Sequence, residues 1–488
     1  MKLSSQHRAL YCYLILSIWI FLLIAGMYKY IGNEDGTAAV KSTENEISRG
    51  SSVKILKPDI KTRRIFHLCN PPEEISVGSE GQVPSNNLSL EAILIFLRHG
   101  DRGPLSHVRN VSTVNCAVDL SGVDHDRTVR QLQQLLHNAS SPQLMGPFHG
   151  FPLLPPFGGE CQLGQLTAVG AAQMLKSGTI LRHTYGDRLG FGNGSLTPED
   201  ILVYSTKYRR TVQSTLAFLA GLLPPEDLQK AVLHESQSLA FCFNDCACAA
   251  AEQLRRGQTA AGVAHLHSHP AVARLVKQAA AVALERPPGG GTGPEKEPDT
   301  DPRLLQDALL TYVCHAAPLP CVDDSCLRME QVTGLAAYLA WECRQQSHSP
   351  PIRRSSLLRA YGLVRAVVAQ LVRVVSERRP RVAVFSGHDR TLEYLAGALG
   401  LEWPQPRYGA RFVIEVYRGR DRESHQTLPR ARDFFLRLVG DGRDLTPHTS
   451  FCRQRQLCPI ESIIRFLHED YFAPFNASNF KDACMGKG

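Results

Sequence analysis

The sequence predicts an α/β protein: a mainly parallel central sheet flanked by helices, with a smaller, mainly helical inserted domain and an N-terminal transmembrane helix. Three patterns predict it. Residues 92–97, 201–204 and 382–385 are short, continuous apolar runs, as expected of strands covered on both faces, and helical patterns lie between them. From about 223 to 375 the chain is rich in Ala, Leu, Arg and Cys and shows no convincing strand. Residues 9–28 carry no charge over 20 positions, enough to cross a hydrocarbon core.

In chain order, residues 1–8 are expected as a cytosolic tail, because Lys2, Arg8 and the amino terminus precede the apolar span. The span, 9–28, includes Trp19 and Cys12. It exceeds the apolar core of a cleaved signal peptide, and Ala25-Gly26 makes a poor cleavage site, so it reads as a signal anchor with the rest of the chain lumenal. Residues 29–88 are polar, carry Pro58, Pro71, Pro72 and Pro84, and read as a stem. The folded region is expected over 89–475, with its helical insertion at 223–375 and a C-terminal tail at 476–488. After the strand at 92–97, Thr167 can cap a helix that carries Val169, Ala172, Leu175 and Leu181 and ends at Gly186. Helices at 212–222 and at 392–399, the latter stopped by Gly400, each begin close after a strand. Phe412, Ile414 and Val416 alternate with Arg411, Val413 and Glu415, and 434–439 follows as a last strand. Residues 287–302, rich in Gly, Pro and charge, form a surface loop.

The composition is that of a globular protein, with 43% hydrophobic and 20% charged residues, which excludes a disordered, collagen-like or coiled-coil chain. A formal charge of +8 is spread along the chain, without a basic run, so a nucleic-acid partner is not expected. Sequons at Asn87, Asn110, Asn138, Asn193 and Asn476 all lie beyond the anchor and are candidate glycosylation sites. Of 14 cysteines, 13 follow the span, many grouped as Cys242, Cys246, Cys248; Cys314, Cys321, Cys326; and Cys452, Cys458. No two pairs have zinc-ligand spacing, so in an oxidising lumen they read as disulfides, with at least one thiol left over and the pairing open.

The chemistry is concentrated at strand ends. Arg98-His99-Gly100-Asp101-Arg102-Gly103-Pro104 directly follows the first strand, and in an open α/β sheet ligands bind at strand carboxyl ends. Arginines offer planar, bidentate recognition of phosphate oxygens, and the imidazole between them is placed to attack. His388-Asp389 follows the 382–385 strand at a helix start, and Arg209-Arg210-Thr211 follows the strand at 201–204. Three strand ends can therefore bring a phosphate clamp, a nucleophile and an acid to one pocket.

These residues resemble the histidine acid phosphatase family, branch 2 of the histidine phosphatase superfamily. Arg98 to Pro104 matches the family's R-H-G-x-R-x-P, His388-Asp389 its H-D, and Ser205 to Thr211 its S-T-x-x-x-R-T, which selects Arg210 over Arg209; the resemblance covers about 90–475. It implies His99 as the nucleophile that forms a phosphohistidine and Asp389 as proton donor. Arg98, Arg102, Arg210 and His388 would bind the phosphate, with no metal and no cofactor. The segments 241–248, 314–330 and 448–461 resemble the subgroup that acts on xylose 2-phosphate in glycosaminoglycan assembly. That implies a phosphorylated glycan on a proteoglycan core protein as substrate, a type II Golgi membrane location, and Golgi glycan-biosynthetic enzymes as partners. Arg390, after His-Asp, and the loop 287–302 depart from the family pattern; Arg390 reads as solvent-facing.

Other readings compete with these. His265, His267 and His269 invite a metal reading, but a solvent-facing helix or loop is expected, and Asp245, Asp323 and Asp324 read as loop or cap residues. Two alternatives to the xylose phosphatase remain: a phosphatase for another phosphomonoester, such as an inositol phosphate or lysophosphatidate, and a non-catalytic relative that binds anionic glycans. A phytase calls for a more basic pocket; an idle relative has no need of His99 and Asp389.

Overall fold

The computed structural model describes residues 60–486 except 84–86, 117–131, 135, 137–141, 156–160, 236–247, 286–299, 347–348, 403–404, 420–429 and 453. The expected anchor at 9–28, Asn138, Asp245, Cys242, Cys246 and most of the loop 287–302 lie outside the described residues. Among the described residues no helix is long and apolar enough to cross a membrane.

The strands are β1 (Leu88–Arg98), β2 (Ile201–Ser205), β3 (Leu233–Glu235), β4 (Cys321–Val322), β5 (Ser325–Cys326), β6 (Val382–Gly387), β7 (Arg411–Gly419), β8 (Phe434–Gly440), β9 (Arg443–Asp444) and β10 (Cys458–Pro459). Strands β4 and β5 pair only with each other; the rest form one sheet in the order β10-β8-β7-β1-β6-β2-β3, with β9 on β8. Helices of ten or more residues are α1 (Ile60–Cys69), α2 (Ala168–Leu189), α3 (Arg209–Leu222), α4 (Ala249–His267), α5 (Pro270–Ala283), α6 (Pro302–Cys314), α7 (Met329–Gln346), α8 (Pro350–Glu377) and α9 (Asp389–Leu399).

The apolar run in β1 divides its side chains between two cores, because successive residues of a strand face opposite ways. Ala92, Leu94 and Phe96 join the cluster that holds Leu357 to Val374 of α8 and Leu392 to Leu399 of α9. Ile93, Ile95 and Leu97 join the cluster that holds Met174, Leu181 and Tyr185 of α2 and Val212 to Leu222 of α3. Helix α2 starts as expected, with the Thr167 hydroxyl accepting from Gly170 N at 3.0 Å, but it runs past Gly186 and stops at Gly190, whose φ of 78° suits glycine.

The sheet is mixed, which corrects the mainly parallel arrangement expected. Strands β1, β6, β2 and β3 are mutually parallel, whereas β7 runs antiparallel to β1 and to β8, and β8 antiparallel to β9 and β10. The physical reason lies in the connections. After α9 the chain returns to the carboxyl end of β1, where Gly409 N donates to His99 O, so β7 starts there and runs down the sheet. Asp441 and Gly442, both at positive φ, then close a tight hairpin between β8 and β9.

Helices α4 to α7 share a core of their own, including Val276, Leu305, Leu309 and Leu335, and Ile65 and Cys69 of α1 belong to it. Cys69 is disulfide-bonded to Cys314 at the end of α6. Residues 60–83, expected in the stem, are thus part of the folded body: Glu80 is buried and receives Arg411 Nε at 2.9 Å. Helix α8 lies within the expected insertion, yet it packs on the sheet. Among the described residues the other disulfides are Cys116–Cys161, Cys248–Cys484, Cys321–Cys326 and Cys452–Cys458, and Cys343 keeps a free thiol. Asn87, Asn110, Asn193 and Asn476 are exposed.

Candidate active site

Strand register assembles the site. Arg98 of β1 is paired with Gly387 of β6, and Ser205 of β2 with Ser386, so the residues that follow, His99, His388 and Thr206, leave the sheet side by side. Asp389 opens α9 and Arg210 lies in the first turn of α3, which places two helix starts at the same edge. Gly100 is required by close approach: a Cβ there would meet Gly170 O of α2 at 2.2 Å. His99, Arg102, Arg210, His388 and Asp389 line one cavity of about 1120 Å³, while Arg98 is buried beside it and reaches Asp389 Oδ2 at 3.9 Å.

His99 is only 3% exposed. Burial, reinforced by Arg210, Arg102 and Arg98, pushes its pKa well below the usual histidine value, so the ring is neutral. Its Nδ1 is 2.8 Å from Gly100 O, a pure acceptor, so the proton sits on Nδ1 and Nε2 carries the lone pair. The rings of His99 and His388 meet edge to face at 5.5 Å. His388 is also neutral, lowered to about 3 chiefly by burial and then by Arg210, and its Nε2 is 3.0 Å from the Thr206 hydroxyl.

The three arginines carry unused donors. The Nε atoms of Arg98, Arg102 and Arg210 are buried and have no hydrogen-bond partner. A buried orphan donor costs about 1–3 kcal/mol, and three around one imidazole describe a cradle for an oxyanion. Burial and Arg102 pull Arg210 down to about 10, which leaves it charged at neutral pH. Arg98 is fixed from behind by Pro406 O at 2.5 Å, with its guanidinium 4.2 Å from the centre of the Tyr408 ring.

Asp389 accepts from Arg390 N at 2.7 Å. Burial works to raise its pKa, but Arg98, Arg390 and that backbone bond outweigh it and hold the carboxyl at about 2, so the resting group is a carboxylate. Arg390 itself pairs with Glu393 at 3.2 Å at the rim of the cavity and is exposed, as expected.

Several residues at the site have no sequence signature. Asp307 of α6 receives Arg102 through both carboxylate oxygens, at 2.7 and 3.1 Å. Tyr408 lies under Arg98 and Arg102. Asp101, within the catalytic-type loop, is buried against His315 at 2.8 Å and receives the Thr167 hydroxyl at 2.6 Å. Burial opposes the pairing, but each partner favours the charged form of the other, lowering Asp101 and raising His315. Outside the site, His265 and His269 are half-buried against Tyr338 and Trp341, not turned to solvent as expected, because aromatic surface on α7 covers them.

Comparison with known proteins agrees with this geometry. Residues 89–288 match the family model of the histidine phosphatase superfamily (branch 2). A mouse relative, 2-phosphoxylose phosphatase 1, is 28% identical over 437 residues, covering 86% of each chain. Bovine lysophosphatidic acid phosphatase type 6 is 24% identical, over 79% of this chain and 84% of its own. Among solved structures, the apo multiple inositol polyphosphate phosphatase of Bifidobacterium longum shares the fold at a TM-score of 0.52 and 12% identity, covering 84% of this chain and 98% of that one.

Proposed function

We propose that the chain is a phosphomonoester hydrolase of the histidine phosphatase superfamily (branch 2) and that its substrate is a sugar phosphate, the xylose 2-phosphate of the proteoglycan linkage region, cleaved through a phosphohistidine. The observation that carries the phosphatase reading is the neutral His99 ringed by three buried, partnerless arginine Nε atoms. His99 Nε2 attacks phosphorus, the bond from phosphorus to the sugar oxygen breaks, and Arg98, Arg102 and Arg210 neutralise the phosphoryl oxygens, which the neutral His388 ring helps to hold. Asp389, a carboxylate at rest, takes up the proton of a monoanionic phosphate ester and passes it to the departing oxygen, then orients the water that frees His99.

The sugar reading is supported by the names of the relatives and by the rim of the cavity. Beyond the clamp, Lys207, Arg255, Arg303 and Arg390 are matched by Glu235, Asp301, Glu342 and Glu393, so the rim has no net charge. That suits a neutral leaving group better than an inositol polyphosphate. Tyr208, 53% exposed and edge-on to His388, offers a sugar ring a flat neighbour. A second reading, lysophosphatidate, is favoured by an apolar wall of Val263, Leu266, Leu339, Ile352 and Leu401. The same proposal puts the folded body in the Golgi lumen, behind the 9–28 anchor.

The test is phosphate release by a secreted form starting at Pro58, where the compact unit begins. Xylose 2-phosphate oligosaccharide, lysophosphatidate, inositol hexakisphosphate and an aryl phosphate are compared. We expect the highest kcat/KM on the oligosaccharide; preference for lysophosphatidate would replace the sugar with the lipid, and no release from any would leave only the binding role.

A further inference from the structure

Arginine has five N–H donors in a planar fork, so the edge it presents to an anion depends on which donors are already taken. In Arg102, Nη1 donates to Asp307 Oδ2 at 3.1 Å and to Gly103 O at 3.0 Å, and Nη2 donates to Asp307 Oδ1 at 2.7 Å. The Nε–H, buried and without a partner, and the second Nη2 hydrogen remain. These two lie on one edge and point the same way, a fork for two oxygens.

We propose that Asp307 is a positioning residue that aims Arg102, turning this Nε/Nη2 edge to the substrate phosphate. The inference rests on the reading of Arg102 as a phosphate ligand. Asp307 is not free to follow Arg102 about: its Oδ2 also accepts Leu105 N at 3.2 Å, and Tyr408 OH is 3.4 Å from Oδ1. Its helix is anchored as well. At the far end of α6, His315 holds Asp101 at 2.8 Å, and Cys314 is bonded to Cys69. Helix α6 thus grips the loop at residues 101, 102 and 105, and the helical unit that supplies α6 shapes the phosphate clamp directly.

Charge and position predict opposite outcomes when Asp307 is removed. A carboxylate near a phosphate repels it, so if Asp307 acted only through its charge, its loss would tighten phosphate binding. If it aims Arg102, its loss frees the guanidinium to rotate, and both binding and turnover weaken.

The experiment is a double-mutant cycle on the full chain with D307A, R102A and the double variant, measuring kcat, KM and the inhibition constant of inorganic phosphate. The expected result is a fall in kcat/KM on the order of tenfold to a hundredfold for D307A, with weaker phosphate inhibition. In the R102A background D307A should add less than about twofold, because its route to the phosphate is gone. Tighter phosphate inhibition in D307A, unchanged kcat/KM, or the same factor lost in both backgrounds would overturn the proposal. Full activity in R102A would instead remove the assignment of Arg102 itself, and the inference with it. If D307A does not fold, D307N, which keeps the shape and one acceptor, runs the same cycle with a smaller expected loss.

Discussion

His99 and His388 are neutral for the same reason, burial next to fixed guanidiniums, and this sets the sign of the pH dependence. A histidine whose pKa is depressed stays neutral, and hence nucleophilic, until the pH falls through the depressed value. The acid limb of kcat/KM should therefore lie well below the ordinary histidine pKa of about 6.5. On the alkaline side the proton that Asp389 needs comes with the ester, whose second pKa is about 6, so activity should decline as pH rises through that value. A profile measured from pH 3 to 8 checks both; activity that rises with a midpoint near 6.5 would show His99 titrating as an exposed imidazole. Asp389→Asn should cost about 10²–10⁴-fold on a sugar phosphate and much less on an aryl phosphate, whose leaving group needs no proton. Equal loss on both would remove the donor role. The residues behind these predictions were legible because their motifs follow unmistakable buried strands. Asp307, Tyr408 and His315 were not: their side-chain hydrogen-bond partners are 101 to 214 residues away in sequence, and a lone Asp on an amphipathic helix reads as solvent-facing.

At the level of elements, the pairing of β1 with β6 does the assembling, since a shift of one residue would carry His388 to the other face of the sheet. The existence of these strands could be read from apolar runs, but their direction could not, because a period of two is the same in parallel and antiparallel pairs. The Asp441-Gly442 turn was the one local sign that β8 and β9 form a hairpin. Alternation in β7 also concealed a buried charge: Glu415 is fully buried, paired across to Arg437 at 3.1 Å, and receives Tyr185 OH and Gly81 N, each at 2.6 Å. Removing one partner of a buried pair leaves the other uncompensated, so Glu415→Ala should destabilise the fold by about 3–5 kcal/mol in urea unfolding. A change below about 1 kcal/mol would mean the network is solvated on relaxation.

Across the whole molecule, the sheet and the helical unit are tied by Arg102–Asp307 and Asp101–His315, and the segment 60–83 is drawn in by Cys69–Cys314 and Glu80–Arg411. The start of the folded body was hidden in the sequence because a polar, proline-bearing segment looks like a stem unless its disulfide partner is known, and spacing does not reveal partners. Exposure of Asn87, Asn110, Asn193 and Asn476 leads to a prediction for the full chain in animal cells: amidase digestion of N-glycans should increase its gel mobility, and an unshifted band would contradict lumenal placement. The central claim, that His99 carries the phosphoryl group, is tested most directly by rapid quench with substrate labelled in its phosphate. Acid-labile, alkali-stable label should accumulate on the wild-type chain and be absent from His99→Ala; label that persists in His99→Ala, or never forms in the wild type, would contradict it.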